Sequence, residues 1–190
     1  HGFCELGALP LVPWLGALRD FLAANPGEVI VLVIEDYVDP AEMAAAFEES
    51  GLRELVFRGP AKPPWPTLRE LVDSRQRALV FLESGRPGVP WLSPVFEAVQ
   101  ETPYRFTKPD EFSCAPHRGG TAGSLFQMNH WIDTTPDPKP SNAAIVNAYD
   151  FLLARARKCE GERKKLPNLV AVDFYRTGDL LNVARTLNGL

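Results

Sequence analysis

Cysteine and histidine are scarce in this 190-residue chain, with three of each. Three cysteines are too few for a disulfide scaffold, and their spacing is not that of a zinc site. No apolar run approaches the roughly 20 residues of a membrane span, and no signal peptide is visible. Basic residues form no stripe. Their densest cluster, Arg155 to Lys165, also holds Glu160 and Glu162, and the net charge is −4, so nucleic acid is excluded as a partner. There is no internal repeat and no low-complexity tract. An initiator Met is also missing, and a chain opening on His1 reads as a fragment in preference to a processed product.

What is present is enough for one core. With 45% hydrophobic residues over this length, residues 1–190 are expected to form a single domain. Four apolar runs read as strands: Val29–Glu35, Ala78–Glu83, Ser124–Trp131 and Leu169–Tyr175. The first is rich in β-branched residues without alternation, the pattern of a parallel strand buried on both faces. Helices lie between the strands. Asp39-Pro40-Ala41-Glu42 opens one that stops at Gly51, and Thr67-Leu-Arg-Glu70 opens a shorter one. Ser141 or Asn142 is expected to cap a long helix presenting Ile145, Tyr149, Leu152, Leu153 and Ala156 on one face. Asp179 is expected to cap the last, with Leu180, Val183, Ala184 and Leu187 inward. Proline-rich segments 59–66, 85–94 and 134–140 read as surface loops. Alternating strands and helices predict a parallel sheet with helices outside it.

The first strand ends abruptly in Glu35 and Asp36. In α/β folds ligands bind where parallel strands finish, so two carboxylates there mark the candidate site. The same stretch carries a family resemblance. His1-Gly-Phe-Cys-Glu-Leu-Gly7, Leu18-Arg-Asp-Phe-Leu22, Asn25-Pro-Gly-Glu28 and Ile34-Glu35-Asp36 resemble the second half of the X domain of phosphatidylinositol-specific phospholipases C. The likeness is to the bacterial, fungal and plant phospholipase-C-like phosphodiesterases. Asn129-His-Trp131, Val170-Ala-Val-Asp-Phe-Tyr175, Gly178-Asp179 and Leu187-Asn-Gly189 continue it, while residues 53–110 carry it weakly. The resemblance implies a (β/α) TIM-type barrel. Four or five strands are too few to close one, so the barrel is expected to be incomplete, with its N-terminal strands missing.

Residue by residue, the resemblance implies that His1 is the general acid toward the leaving lipid oxygen, a task suited to an imidazole. The family's second histidine and an acidic-Arg strand precede the His-Gly pair and have no counterpart in these 190 residues. The isolated chain is therefore expected to be inactive. Glu35 matches a glutamate that ligates Ca²⁺ in calcium-dependent members, where hard carboxylate oxygens suit the ion; an ion pair with Arg is its structural alternative. Asp173 matches a late-strand aspartate that orients the catalytic base, and Tyr175 an aromatic beside the inositol ring. A pleat of two would point both the same way. Asn129 either reaches the site or braces it, since a polar residue in a buried strand needs partners. His130 reads more readily as a core or helix-facing histidine than as a functional one. Glu83 stands where members acting on polyphosphorylated inositides carry lysine, so it argues against such substrates. Arg118-Gly-Gly-Thr-Ala-Gly123 looks superficially like a phosphate loop, but it precedes a strand instead of opening a helix.

The function so implied is a phosphoric diester hydrolase acting on phosphatidylinositol-like lipids by general acid–base catalysis. The alternatives are a metal-dependent glycerophosphodiesterase-like hydrolase and a non-catalytic barrel retained for binding. The expected partner is a phospholipid or other phosphodiester at a membrane surface, met by a monomer, with Ca²⁺ as the one candidate cofactor. Cys114 and Cys159 flank one strand–helix unit, so a disulfide and two buried thiols are both open readings; Cys4 is left over. The cysteine usage leans toward an exported protein.

Overall fold

A computed structural model describes residues 9–35, 37–83, 88–134 and 137–190. His1, Cys4 and Asp36 lie outside the described residues. Six strands occur among those described: β1 Ile30–Ile34, β2 Ala78–Leu82, β3 Ser93–Pro94, β4 Val99–Glu101, β5 Leu125–His130 and β6 Leu169–Val172. Seven α-helices alternate with them: α1 Leu11–Ala24, α2 Pro40–Glu49, α3 Leu68–Asp73, α4 Val95–Ala98, α5 Pro140–Val146, α6 Tyr149–Arg163 and α7 Leu180–Leu187. The chain divides into two compact units, His1–Val95 and Phe96–Leu190.

The strands are parallel, as expected, but they do not form a barrel. Among the described residues they make two three-stranded sheets, ordered β1-β2-β3 and β4-β5-β6. This corrects both the expected TIM-type barrel and the expectation that all four named strands share one sheet. β3 is two residues long and half of it is Pro94, which has no N–H to donate to a further ladder. One helical turn later the chain starts β4 in the second sheet.

In the first unit, β1 pairs with β2 in register from Ile30–Ala78 to Ile34–Leu82. All five residues of β2 are buried, whereas β1 alternates, with Val31 and Val33 exposed. Among the described residues β2 is thus the fully buried strand, and β1 is the outer strand of its sheet with one face exposed. Leu15 and Leu22 of α1 and Met43 and Phe47 of α2 pack with Val80 and Leu82. The α1 helix, absent from the sequence reading, is closed at its C-terminus by Arg77. That buried guanidinium donates to the carbonyls of Leu22 at 2.8 Å and Asn25 at 2.9 Å, which no intrahelical partner satisfies. Asp39 Oδ1 accepts from the Ala41 amide at 2.8 Å, and Thr67 with Glu70 forms a reciprocal capping box.

The second unit packs Phe126 and Met128 of β5 against Leu152, Ala156 and Cys159 of α6 and Val183 of α7. The expected single long helix is two, α5 and α6, and Ile145 is exposed instead of sharing the buried face. Asn147 makes the break. Its side chain donates to the carbonyls of Asp173 and Thr177, and its own carbonyl accepts from the Asp179 amide. Cys114 and Cys159 form a disulfide, their Cα atoms 5.1 Å apart, which decides between the two readings left open by the sequence.

Candidate active site

The carboxyl end of the second sheet collects polar side chains around one carboxylate. Glu101 is the last residue of β4, and its side chain is only 1% exposed. A buried carboxylate persists only if its oxygens are occupied. Arg118 Nε donates to Oε1, and a second guanidinium nitrogen donates to Oε2 at 3.2 Å. Asn129 Nδ2 donates to Oε2 at 3.0 Å, and His117 Nδ1 stands 3.1 Å from Oε1. The Asn129 side chain also donates to Thr102 O and accepts from Gln127. Asn129 therefore braces the Glu101 carboxylate.

His117 and Arg118 reach β4 because their loop runs hard against it. Glu101 N–H donates to Arg118 O, and His117 N–H to Glu101 O. Gly119 has φ +71°, and a Cβ there would lie 2.1 Å from Val99 O; one at Gly123 would lie 2.3 Å from Gln100 N. Only glycine permits that approach. The segment that superficially resembled a phosphate loop is a strap on β4. It is pinned from α6: Cys159 holds Cys114, Arg155 donates to Ser113 O, and Arg163 donates to the carbonyls of Cys114 and Gly120.

Aromatic rings line this cluster. The Arg118 guanidinium carbon lies 4.5 Å from the Phe96 ring centroid and 4.7 Å from that of Tyr104, within cation–π range. Tyr104 meets His117 edge-on at 5.3 Å and stacks on Trp131 at 6.3 Å. The sequence reading missed Glu101, His117, Arg118 and Tyr104. Glu101 and Tyr104 fall in the stretch of weak resemblance; the signal for the other two was a His-Arg pair directly ahead of glycines.

Asp173 follows β6 and sits half-buried in a narrow recess with Trp131, Lys139, Asn142 and Asn147. Burial raises its carboxyl above the ordinary range, and the Asp133 carboxylate adds to the rise. Tyr175 is exposed and accepts from Arg176. Phe174, with φ +50°, ends the extended run, so the strand pleat does not carry from Asp173 to Tyr175. His130 is buried against the helices. Its Nδ1 accepts from Arg155 at 2.8 Å and its Nε2 donates to Val146 O at 2.8 Å. Burial, with Arg155 adding, lowers its pKa to about 4 despite the bond to Val146. His130 is a structural, neutral imidazole.

In the first unit Glu35 and Glu83 directly follow β1 and β2 at the same end of that sheet. Glu83 N–H donates to Ile34 O; Glu35 is exposed and Glu83 half-buried. A wider recess in this unit, about 630 Å³, lies by the amino end of β2 among Arg19, Arg75 and Arg77. Within this unit it lies at the opposite end of the sheet from Glu35 and Glu83.

Comparison with known proteins decides the family. The PI-PLC X model (PI-PLC X 1) matches residues 1–188. The chain belongs to the PI-PLC X family. A PI-PLC X domain-containing protein 1 of Arthroderma benhamiae is 30% identical, over 93% of this chain and 64% of that protein. An uncharacterized secreted protein of the same fungus is 28% identical, over 100% and 50% respectively. A PI-PLC X domain-containing protein of Arabidopsis thaliana is 27% identical, over 90% and 42%. This chain thus spans less than two thirds of the length of these relatives. No solved structure matches.

Ca²⁺ is the cofactor that the resemblance implies. Glu35 offers one hard oxygen donor at a strand end. Among the described residues, no three His, Cys, Asp or Glu side chains converge as a metal group. The described residues do not assemble a calcium cage, and no chemical step is assigned to one.

Proposed function

We propose that this chain belongs to the catalytic domain of a phosphodiesterase that cleaves phosphatidylinositol-like lipids, releasing a lipid alcohol and a cyclic inositol phosphate. The observation that carries this reading is the cluster at the carboxyl end of the β4–β5–β6 sheet. There a buried carboxylate holds a histidine, an arginine and an asparagine at the place where parallel α/β sheets bind ligands. Membership of the PI-PLC X family supports this reading.

In this reading His1 protonates the leaving oxygen, and Asp173 orients a base. Asn129, Tyr175 and Glu83 contact or exclude headgroup substituents. Glu35 is the one residue proposed to meet Ca²⁺, at a single coordination position. The protein works as a monomer on a membrane surface outside the cell. A relative described as secreted and the Cys114–Cys159 disulfide support that location, and no helix among the described residues is long and apolar enough to cross a membrane.

The test is cleavage of radiolabelled phosphatidylinositol, with cyclic inositol phosphate resolved by chromatography. Residues 1–190 alone are expected to be silent, because the family's other histidine precedes the His-Gly pair. The longest natural reading frame containing the chain is expected to cleave, and His1→Ala in it to abolish turnover while leaving the circular dichroism spectrum unchanged. A reading frame that cleaves equally well with His1→Ala would overturn the assignment.

A further inference from the structure

The recess by the amino end of β2 runs against the charge of the unit that holds it. Over residues 1–95 acidic side chains outnumber basic ones thirteen to eight. Among the described residues that line the recess the balance is reversed, with three arginines and Glu54 as the one acid. Ala23, Pro26, Leu55 and Val72 supply apolar wall between them. At about 630 Å³ the space falls within the roughly 300–1,000 Å³ of small-molecule sites.

The three arginines are not equivalent. Arg19 is spent, donating to the Asp20 carboxylate and to Ser50 O. Arg77 is 6% exposed, and its acceptors are the carbonyls of Leu22, Asn25 and Glu28. Neutral carbonyls satisfy its N–H groups but supply no counter-ion, and a buried charge acts on its surroundings through a low dielectric. The Arg75 guanidinium makes no ion pair or hydrogen bond with another described residue. Its backbone is also unusual. Arg75 follows the Ser74 cap of α3 with φ +60°, its N–H donating to Val72 O. Glycine fills such a left-handed position without strain, and an arginine does not. A strained backbone thus holds a free guanidinium at the recess.

We infer that this recess binds a single-chain amphiphile with an anionic head, a carboxylate or a phosphate monoester, gripped by Arg75 while Ala23, Leu55 and Val72 receive the aliphatic part. A guanidinium donates two parallel N–H bonds to either head. Arg77 keeps the field behind it positive. Glu54 opposes the ligand, since its pairing with Arg58 is long, at 3.9 Å, and both side chains are exposed. The site stands at the far end of the first sheet from Glu35 and Glu83, and it neither uses nor depends on the proposed reaction.

The test uses the 190-residue chain, with ¹H–¹⁵N spectra followed at the Leu55 and Val72 amides. Octanoate and octyl phosphate, below their micellar concentrations, are expected to shift both amides saturably. Each should bind at least tenfold tighter than acetate or inorganic phosphate, because the chain leaves water. Octyltrimethylammonium should leave the amides unmoved. Arg75→Gly removes the guanidinium and suits the left-handed backbone, so it should melt near the wild-type temperature yet weaken both anions about tenfold or more. Glu54→Gln should tighten both about two- to fivefold at low salt. Tighter binding of octanoate names a fatty acid as the class of ligand, and tighter binding of octyl phosphate a lysophosphatidate; either order supports the site. Affinity unchanged in Arg75→Gly, an equal response to octyltrimethylammonium, or no saturable shift with either anion overturns the inference. Arg75-dependent sedimentation with phosphatidic acid vesicles, in a chain that binds neither octyl anion, also overturns it and makes the face a membrane contact.

Discussion

A buried imidazole held between a guanidinium and a carbonyl has one protonation state it can keep. His130 accepts from Arg155 and donates to Val146 O, so a second proton would face Arg155 inside the core. Its folded pKa is lowered to about 4, against 6.5 when unfolded. A lowered histidine pKa gives stability that is complete above the unfolded value and is lost as pH falls from 6.5 toward 4. The shift corresponds to about 3 kcal/mol. Urea unfolding across that window should show the loss in the wild type, and a smaller one in His130→Gln, which has no ring to charge. Equal pH slopes in the two proteins would show that His130 is not the group responsible. Asp173 has the opposite sign. Its raised pKa means that stability is complete below the ordinary aspartate range and falls as pH rises through the folded value. Asp173→Asn should therefore melt higher than the wild type at pH 7, and at about the same temperature below the carboxylate range. At this scale the sequence was legible wherever a residue's neighbours are local. That Asn129 needs polar partners was readable from its place in an apolar run; pairing Glu101 with His117, sixteen residues away across a strap, was not.

At the scale of elements, the strap over residues 113–123 is held in two ways, and each can be removed separately. Gly119 combines a left-handed backbone with a near contact to Val99 O. Gly119→Ala must push the loop off β4, and a cost of about 2 kcal/mol or more is expected from strain and lost hydrogen bonds. The decisive readout is local. Hydrogen exchange should quicken at the Glu101 and His117 amides, which bond across the strap, and stay unchanged in β1 and β2. The Cys114–Cys159 disulfide closes a loop of 45 residues, and replacing both cysteines by alanine should cost about 2–4 kcal/mol. Because both cysteines lie in the second unit, the loss of exchange protection should be confined to residues 96–190. The elements themselves were largely readable. Strand ends came out one to three residues too long, and the capping box at Thr67 and the inward face of α7 were as expected. β3 and β4 escaped because two- and three-residue strands carry no periodicity. The α5–α6 break escaped because Asn147 is turned by carbonyls 26 and 30 residues away.

At the scale of the whole molecule, the alternation of strands and helices revealed parallel pairing, and the pairing is there. Closure was another matter. The barrel was implied by the family resemblance alone, whereas the strands among the described residues make two three-stranded sheets. Charge is the property at this scale that bears on function. The chain carries a net −4, and the carboxyl end of the first sheet bears Glu35 and Glu83. In the proposed reaction each extra ring phosphate brings negative charge to a negative protein. At roughly 8 Å and an effective dielectric of about 20, one such repulsion is about 2 kcal/mol, or roughly thirtyfold. Phosphatidylinositol should accordingly be cleaved with kcat/KM at least tenfold above that for its bisphosphate in mixed micelles at low salt. The gap should narrow as ionic strength rises and the Debye length falls below that separation. Glu83→Lys should narrow it further at low salt, chiefly by improving the bisphosphate. A ratio indifferent to both salt and Glu83→Lys would mean that ring phosphates never approach this strand end, and Glu83 would lose its place among the substrate-facing residues.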